Sequence, residues 1–131
     1  MRIIPTGSQV YGPATKESDY DFVADVVAAS HIEQFLIRKK ISITYNKEIN
    51  PQYEGLTFLF CGEKFQLIVV LMPEELDEWE YATKQMKNLA PIKDRAERVA
   101  KFTWFRMDYR NTYLHETALD IKNLFIKEGG V

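Results

Sequence analysis

Two acidic side chains separated by one residue, Asp19 and Asp21, follow eleven and thirteen positions after Ser8, itself preceded by Gly7. In a strand, residues i and i+2 share a face, so both carboxylates aim at one point while Tyr20 and Phe22 face the other way. Two like charges converging at a strand start are costly unless something positive lies between them. A hard cation such as Mg²⁺, which takes one or two carboxylates together with phosphate oxygens, suits that pair. Gly7 lets another atom approach the backbone closely. Ser8 sets a hydroxyl at the start of a short helical turn, where orphan N–H groups favour an anion such as phosphate. The stretch therefore offers a phosphate cradle and a carboxylate clamp. An Asx-rich turn feeding an ordinary strand is the plainer reading of the same residues.

Taken jointly, Gly7-Ser8, then Gly12, then Ser18-Asp19-Tyr20-Asp21 running into apolar Phe22-Val23 resembles the signature of the DNA polymerase β-like nucleotidyltransferases. The likeness is to their small stand-alone kind and covers about residues 1–72. It implies a nucleotidyltransferase fold. It also implies a metal-dependent transfer of a nucleoside monophosphate from a nucleoside triphosphate to a hydroxyl on a small molecule, a protein or an RNA end. Mg²⁺ or Mn²⁺ would be the cofactor. Carried over by residue, the resemblance assigns Gly7 and Ser8 to the phosphates, Asp19 and Asp21 to metal, and Ser18 to the nucleotide. Lys16, in the loop ahead of the acids, is a further candidate for phosphate contact, with a solvated loop lysine as the plainer reading.

Members of that family usually bring a third carboxylate from a later strand. Here the corresponding segment is Phe65-Gln66-Leu67-Ile68-Val69-Val70-Leu71, without an acid inside it, and Gln66 stands where the aspartate is expected. A shift of register by one residue would put phenylalanine or leucine there instead. Gln66 offers a carbonyl oxygen but neither charge nor basicity. Similar small bacteriophage members often carry an amide at this place. Binding of a nucleotide with its cation is therefore expected to survive better than catalysis. The second reading is a weakened module of the same fold that binds nucleotide or a protein partner.

The elements that must position these residues are legible in part. Ile3-Ile4 reads as a strand, Ser8–Gly12 as a helical turn and Tyr20–Val27 as the next strand. Ser30-His31-Ile32-Glu33 fits a capping box opening a helix. Ile41–Tyr45, Leu56–Cys61 and Lys64–Met72 read as strands, the last two joined by Gly62-Glu63 in a type II′ link. Cys61 is expected as a buried thiol at a strand end. Pro73-Glu74-Glu75 starts a helix with Leu76, Trp79, Thr83 and Met86 on one side. Two helices follow, about Lys93–Tyr109 and His115–Lys127, closed by Gly129-Gly130. The whole reads as one α+β domain, a mixed or antiparallel sheet of about five strands with helices packed on it and a helical region from about residue 73 to 131.

Composition limits the alternatives. A chain of 131 residues, 46% hydrophobic and 27% charged, is globular in balance, and one cysteine excludes an internal disulfide. The apolar run at the N-terminus is too short for a signal peptide, and Leu67–Met72 is far short of a span, so a cytoplasmic protein without membrane contact is expected. A net charge of −2 argues against general nucleic-acid binding. Residues 84–110 nevertheless carry eight basic against three acidic side chains. They are read as a solvated helix face in preference to a wall that meets phosphates. Arg95 and Arg98, one turn apart, share that reading. His31 and His115 lack partners at metal-ligand spacing.

Overall fold

A computed structural model of the chain describes residues 2–50 and 53–127. Gly129-Gly130 lies outside the described residues. The elements are β1 (Ile3–Thr6), α1 (Ser8–Tyr11), β2 (Tyr20–Asp25), α2 (Val26–Arg38), β3 (Ile43–Asn50), β4 (Tyr53–Phe60), β5 (Glu63–Val70), α3 (Pro73–Asn88) and α4 (Arg95–Lys127). The architecture is α+β. Its five-stranded sheet has the order β1-β2-β5-β4-β3 and is mixed: β2 and β5 are parallel, and the other neighbours are antiparallel.

Alternation along the strands sends residues to two faces. On one face, Ile4, Val23, Ile68 and Val70 meet Leu76, Trp79, Ala82 and Met86 of α3 and Phe102 and Phe105 of α4. On the other, Ala24, Leu56 and Leu67 meet Ala28 and Ala29 of α2. Asp21 and Gln66 are two residues from Val23 and Ile68, so they belong to the α3–α4 face. The predicted stripe of α3 is buried as expected: Leu76, Trp79, Thr83 and Met86 are all inaccessible.

Four local expectations are corrected. The helix after β2 begins at Val26 and not after Ser30, because Asp25 caps it by accepting from the Ala28 N–H at 2.7 Å. β2 consequently stops at Asp25. His31 thus sits within α2, on its exposed side. The β4–β5 turn is Cys61-Gly62, with φ of 54° and 78°. Positive φ at both central residues is the type I′ pattern, whose twist matches the flanking strands. Cys61 is therefore an exposed turn residue. Finally, α4 is one helix of 33 residues, with no break between Tyr109 and His115. No glycine or proline interrupts it, and the Thr112 hydroxyl donates back to the Asp108 carbonyl at 3.0 Å.

A buried ion cluster fixes α4 against α3. Glu78 accepts from Arg106 Nε at 2.9 Å, from Arg110 Nε at 3.1 Å and from Arg110 Nη2 at 2.9 Å. Arg106 also lies over the Trp79 ring, 4.5 Å from its centroid. Of the eight basic residues in the 84–110 run, Arg106 is thus buried in the packing, while Arg110 is exposed but reaches in to the same carboxylate. The N-terminal end of α4 is thereby held beside the acid-bearing end of β2.

Candidate functional site

Gly7 connects β1 to α1 with φ of 78°, a conformation that disfavours any side chain. The space around it is equally restrictive. A Cβ at this position would overlap the Asp21 carboxylate and lie 2.9 Å from its Cγ. Gly7 is thus the residue that lets the backbone turn directly against Asp21. Behind it, the carbonyl of Gly7 accepts from the N–H groups of Val10 and Tyr11 at 3.0 and 3.2 Å, closing the single turn of α1.

Asp21 lies between two register partners, Thr6 on β1 and Gln66 on β5. Thr83 donates its hydroxyl proton to the Trp79 carbonyl at 2.8 Å, so Thr6 must donate to Thr83, 2.8 Å away. The hydroxyl of Asp21's register partner on β1 is thereby committed elsewhere. Asp21 Oδ1 is buried and has no hydrogen-bond partner among the described residues. Burial, and secondarily the charge of Asp19, push the Asp21 carboxyl up to about 6, against a smaller opposing pull from Arg95.

These residues meet in one hollow of about 420 Å³, lined by Gly7, Ser8, Asp19, Asp21 and Gln66 and by Thr15, Glu17 and Ser18 of the loop ahead of β2. Tyr11 closes one wall. Burial, then the nearby Asp21 charge, push its hydroxyl up to about 12. Arg95, Arg98 and Val99 of α4 complete the hollow. Arg98 is steadied by its Nη1, which donates to the carbonyls of Ile92 and Lys93 at 3.1 Å. Carboxylates and guanidinium groups thus share one polar space, the composition that a cation bound to phosphates requires.

The residues singled out in the sequence divide as follows. Gly7, Ser8, Ser18, Asp19, Asp21 and Gln66 come together. Lys16 does not line this hollow but an adjoining one of about 680 Å³, with Glu17, Tyr20, Glu63 and Lys64. Ser18 lines both hollows, and its hydroxyl is engaged within the loop, accepting from the Thr15 N–H at 2.8 Å. Its carbonyl accepts from Gln9 at 3.1 Å. It shapes the loop that delivers Asp19.

Arg95 and Arg98 line the hollow, Arg95 exposed and Arg98 half-buried. Their position carried a signal: two arginines in the first turn of a helix oppose its dipole, an arrangement that an anionic neighbour offsets. Tyr11 gave no such signal.

The donor set fits a divalent cation. Asp21 Oδ1 is buried without a partner among the described residues, and Asp21 Oδ2 lies where a side chain at position 7 would stand. Among the described residues no group of three or more His, Cys, Asp or Glu side chains gathers to hold an ion. The acidic pair alone would leave coordination to be completed by phosphate oxygens, water or the Gln66 carbonyl.

Against models of known protein families the chain gives no match, and against characterised proteins it gives none either. No helix among the described residues is long and apolar enough to cross a membrane.

Proposed function

We propose that this chain is a nucleotidyltransferase of the polymerase β-like kind, which binds a nucleoside triphosphate through Mg²⁺ or Mn²⁺ and moves a nucleoside monophosphate to a hydroxyl acceptor. The observation that carries the reading is Asp21, whose Oδ1 is buried without a hydrogen-bond partner among the described residues and whose Oδ2 lies against Gly7, in a hollow it shares with Asp19, Ser8 and two arginines. Asp19 and Asp21 would hold the cation. When bound, it supplies charge neutralisation of the phosphates and of the oxygens at the transferring phosphorus.

The chain's own groups do the remaining work. The Gly7-Ser8 turn receives phosphate oxygens, while Arg95 and Arg98 bear on the charge that accumulates on the departing pyrophosphate. The adjoining hollow around Lys16 and Glu63 is the place left for an acceptor, whether small molecule, protein or RNA end.

A second reading is favoured by one position. Gln66, the register partner of Asp21, brings no charge where a third acid would ease deprotonation of the acceptor. On this reading the fold binds a nucleotide, or a protein partner, without transfer. Incubation with labelled nucleoside triphosphates, Mg²⁺ or Mn²⁺ and candidate acceptors separates the two. Transfer that Asp19→Ala abolishes supports the enzyme. Tight nucleotide binding with no transfer to any acceptor supports the binding module.

A further inference from the structure

The two residues that flank Asp21 and Asp19 across the β2–β5 ladder differ from what a two-cation site needs. β2 and β5 are parallel, with Tyr20 opposite Phe65 and Asp21 opposite Gln66. Just before the ladder begins, Asp19 lies beside Lys64. The faces agree: Phe65 stacks with Tyr20, Phe22 and Phe58 on the α2 side, so Lys64 and Gln66 point with the acids to the other side. Lys64 Nζ lies 3.9 Å from Asp19 Oδ2, with side-chain exposures of 55% and 28%.

A two-cation centre for phosphoryl transfer places its ions about 3.5–4 Å apart and needs carboxylates enough to hold both. Glu17, Asp19 and Asp21 all line the hollow, but among the described residues no three such acids gather as a group able to hold an ion, and Asp19 faces the Lys64 ammonium. We propose that the site binds a single divalent ion per nucleotide, seated on Asp21 with Asp19, and that the Lys64 ammonium occupies the electrostatic place of a second ion. This rests on the nucleotide-binding reading above. Lys64 acts here as a positioning residue: it neutralises the outer side of Asp19 and repels a further cation from the edge facing the adjoining hollow. Because its chain is long and half-exposed, it can do so without a desolvation cost comparable to that of a buried charge.

On this proposal neither residue alone sets the number of ions bound. An aspartate at position 66 would still share its field with the ammonium, and removal of the ammonium alone would still leave an uncharged amide.

Mn²⁺ titration of the full chain with the non-transferable analogue α,β-methylene-ATP, followed by the electron paramagnetic resonance signal of free Mn²⁺, counts bound ions directly. One Mn²⁺ per chain is expected for the unaltered protein, for Gln66→Asp and for Lys64→Gln. Two are expected for the double variant Lys64→Gln/Gln66→Asp. Two ions in the unaltered protein would overturn the proposal while leaving the nucleotide site intact. Two ions in Gln66→Asp with Lys64 retained would likewise overturn the role of Lys64. One ion in a folded double variant, judged by an unchanged circular dichroism melt, would overturn it as well. Absence of any Mn²⁺–nucleotide binding would remove the nucleotide site itself, and this inference with it.

Discussion

A carboxylate with a buried oxygen and no partner lowers stability, and at Asp21 the penalty has a pH signature. Its proton is held more tightly in the folded chain, where the carboxyl titrates at about 6, than in the unfolded chain, near 4. The stability associated with the protonated form is therefore complete below pH about 4 and is lost as pH rises through about 6. Without cation, Asp21→Asn should raise stability at pH 7 by about 1–2 kcal/mol, after allowance for partial solvation, and thermal melts at pH 4 and pH 7 check this. The same variant should remove cation binding. In the unaltered protein, Mn²⁺ affinity should fall by about tenfold per pH unit below 6, as protons compete for the carboxylate. Gly7→Ala should do harm twice: the strained φ and the overlap with Asp21 should cost about 1–3 kcal/mol in urea denaturation. It should also weaken Mn²⁺–nucleotide binding by at least about tenfold, because the carboxylate must move.

At the scale of elements, the site depends on α4 being held in place by contacts remote from it. Glu78 and Arg106 have side-chain exposures of only 5% and 7%. Glu78→Ala would leave the Arg106 guanidinium buried without its carboxylate, a loss on the order of 3 kcal/mol measurable by denaturant titration. Nucleotide affinity should fall too, since Arg95 and Arg98 ride on the same helix. The sequence reading recovered α3 and its buried stripe because proline, two glutamates and a 3.6-residue apolar period all agree there. It misplaced the start of α2 because Ser30 and Glu33 offered a capping box, while Asp25 was read as the interior of a strand. Asp25 does both: it ends β2 and caps the helix that follows. The α4 arginines were taken for a solvated face because partners 28 and 32 residues away on another helix leave no local pattern.

Across the whole molecule, the legible part of the site was the part that one segment carries. Gly7, Ser8, Asp19 and Asp21 lie within fifteen residues and announce themselves by type and spacing. Gln66 was placed by the resemblance, and the β2–β5 register sets it opposite Asp21. Tyr11 and Lys64 enter only through packing, which spacing does not encode, and Arg95 and Arg98 gave only the weak signal of cations in a first helical turn. The proposed site stands on the acidic pair and the Gly7-Ser8 turn forming one receptor for a cation and its phosphates. The most direct test is isothermal calorimetry of the full chain with α,β-methylene-ATP, with and without Mg²⁺. Binding that requires Mg²⁺ and is lost in both Asp19→Ala and Asp21→Ala is the predicted result. Binding of equal strength in those variants, or none in the unaltered protein, would contradict it.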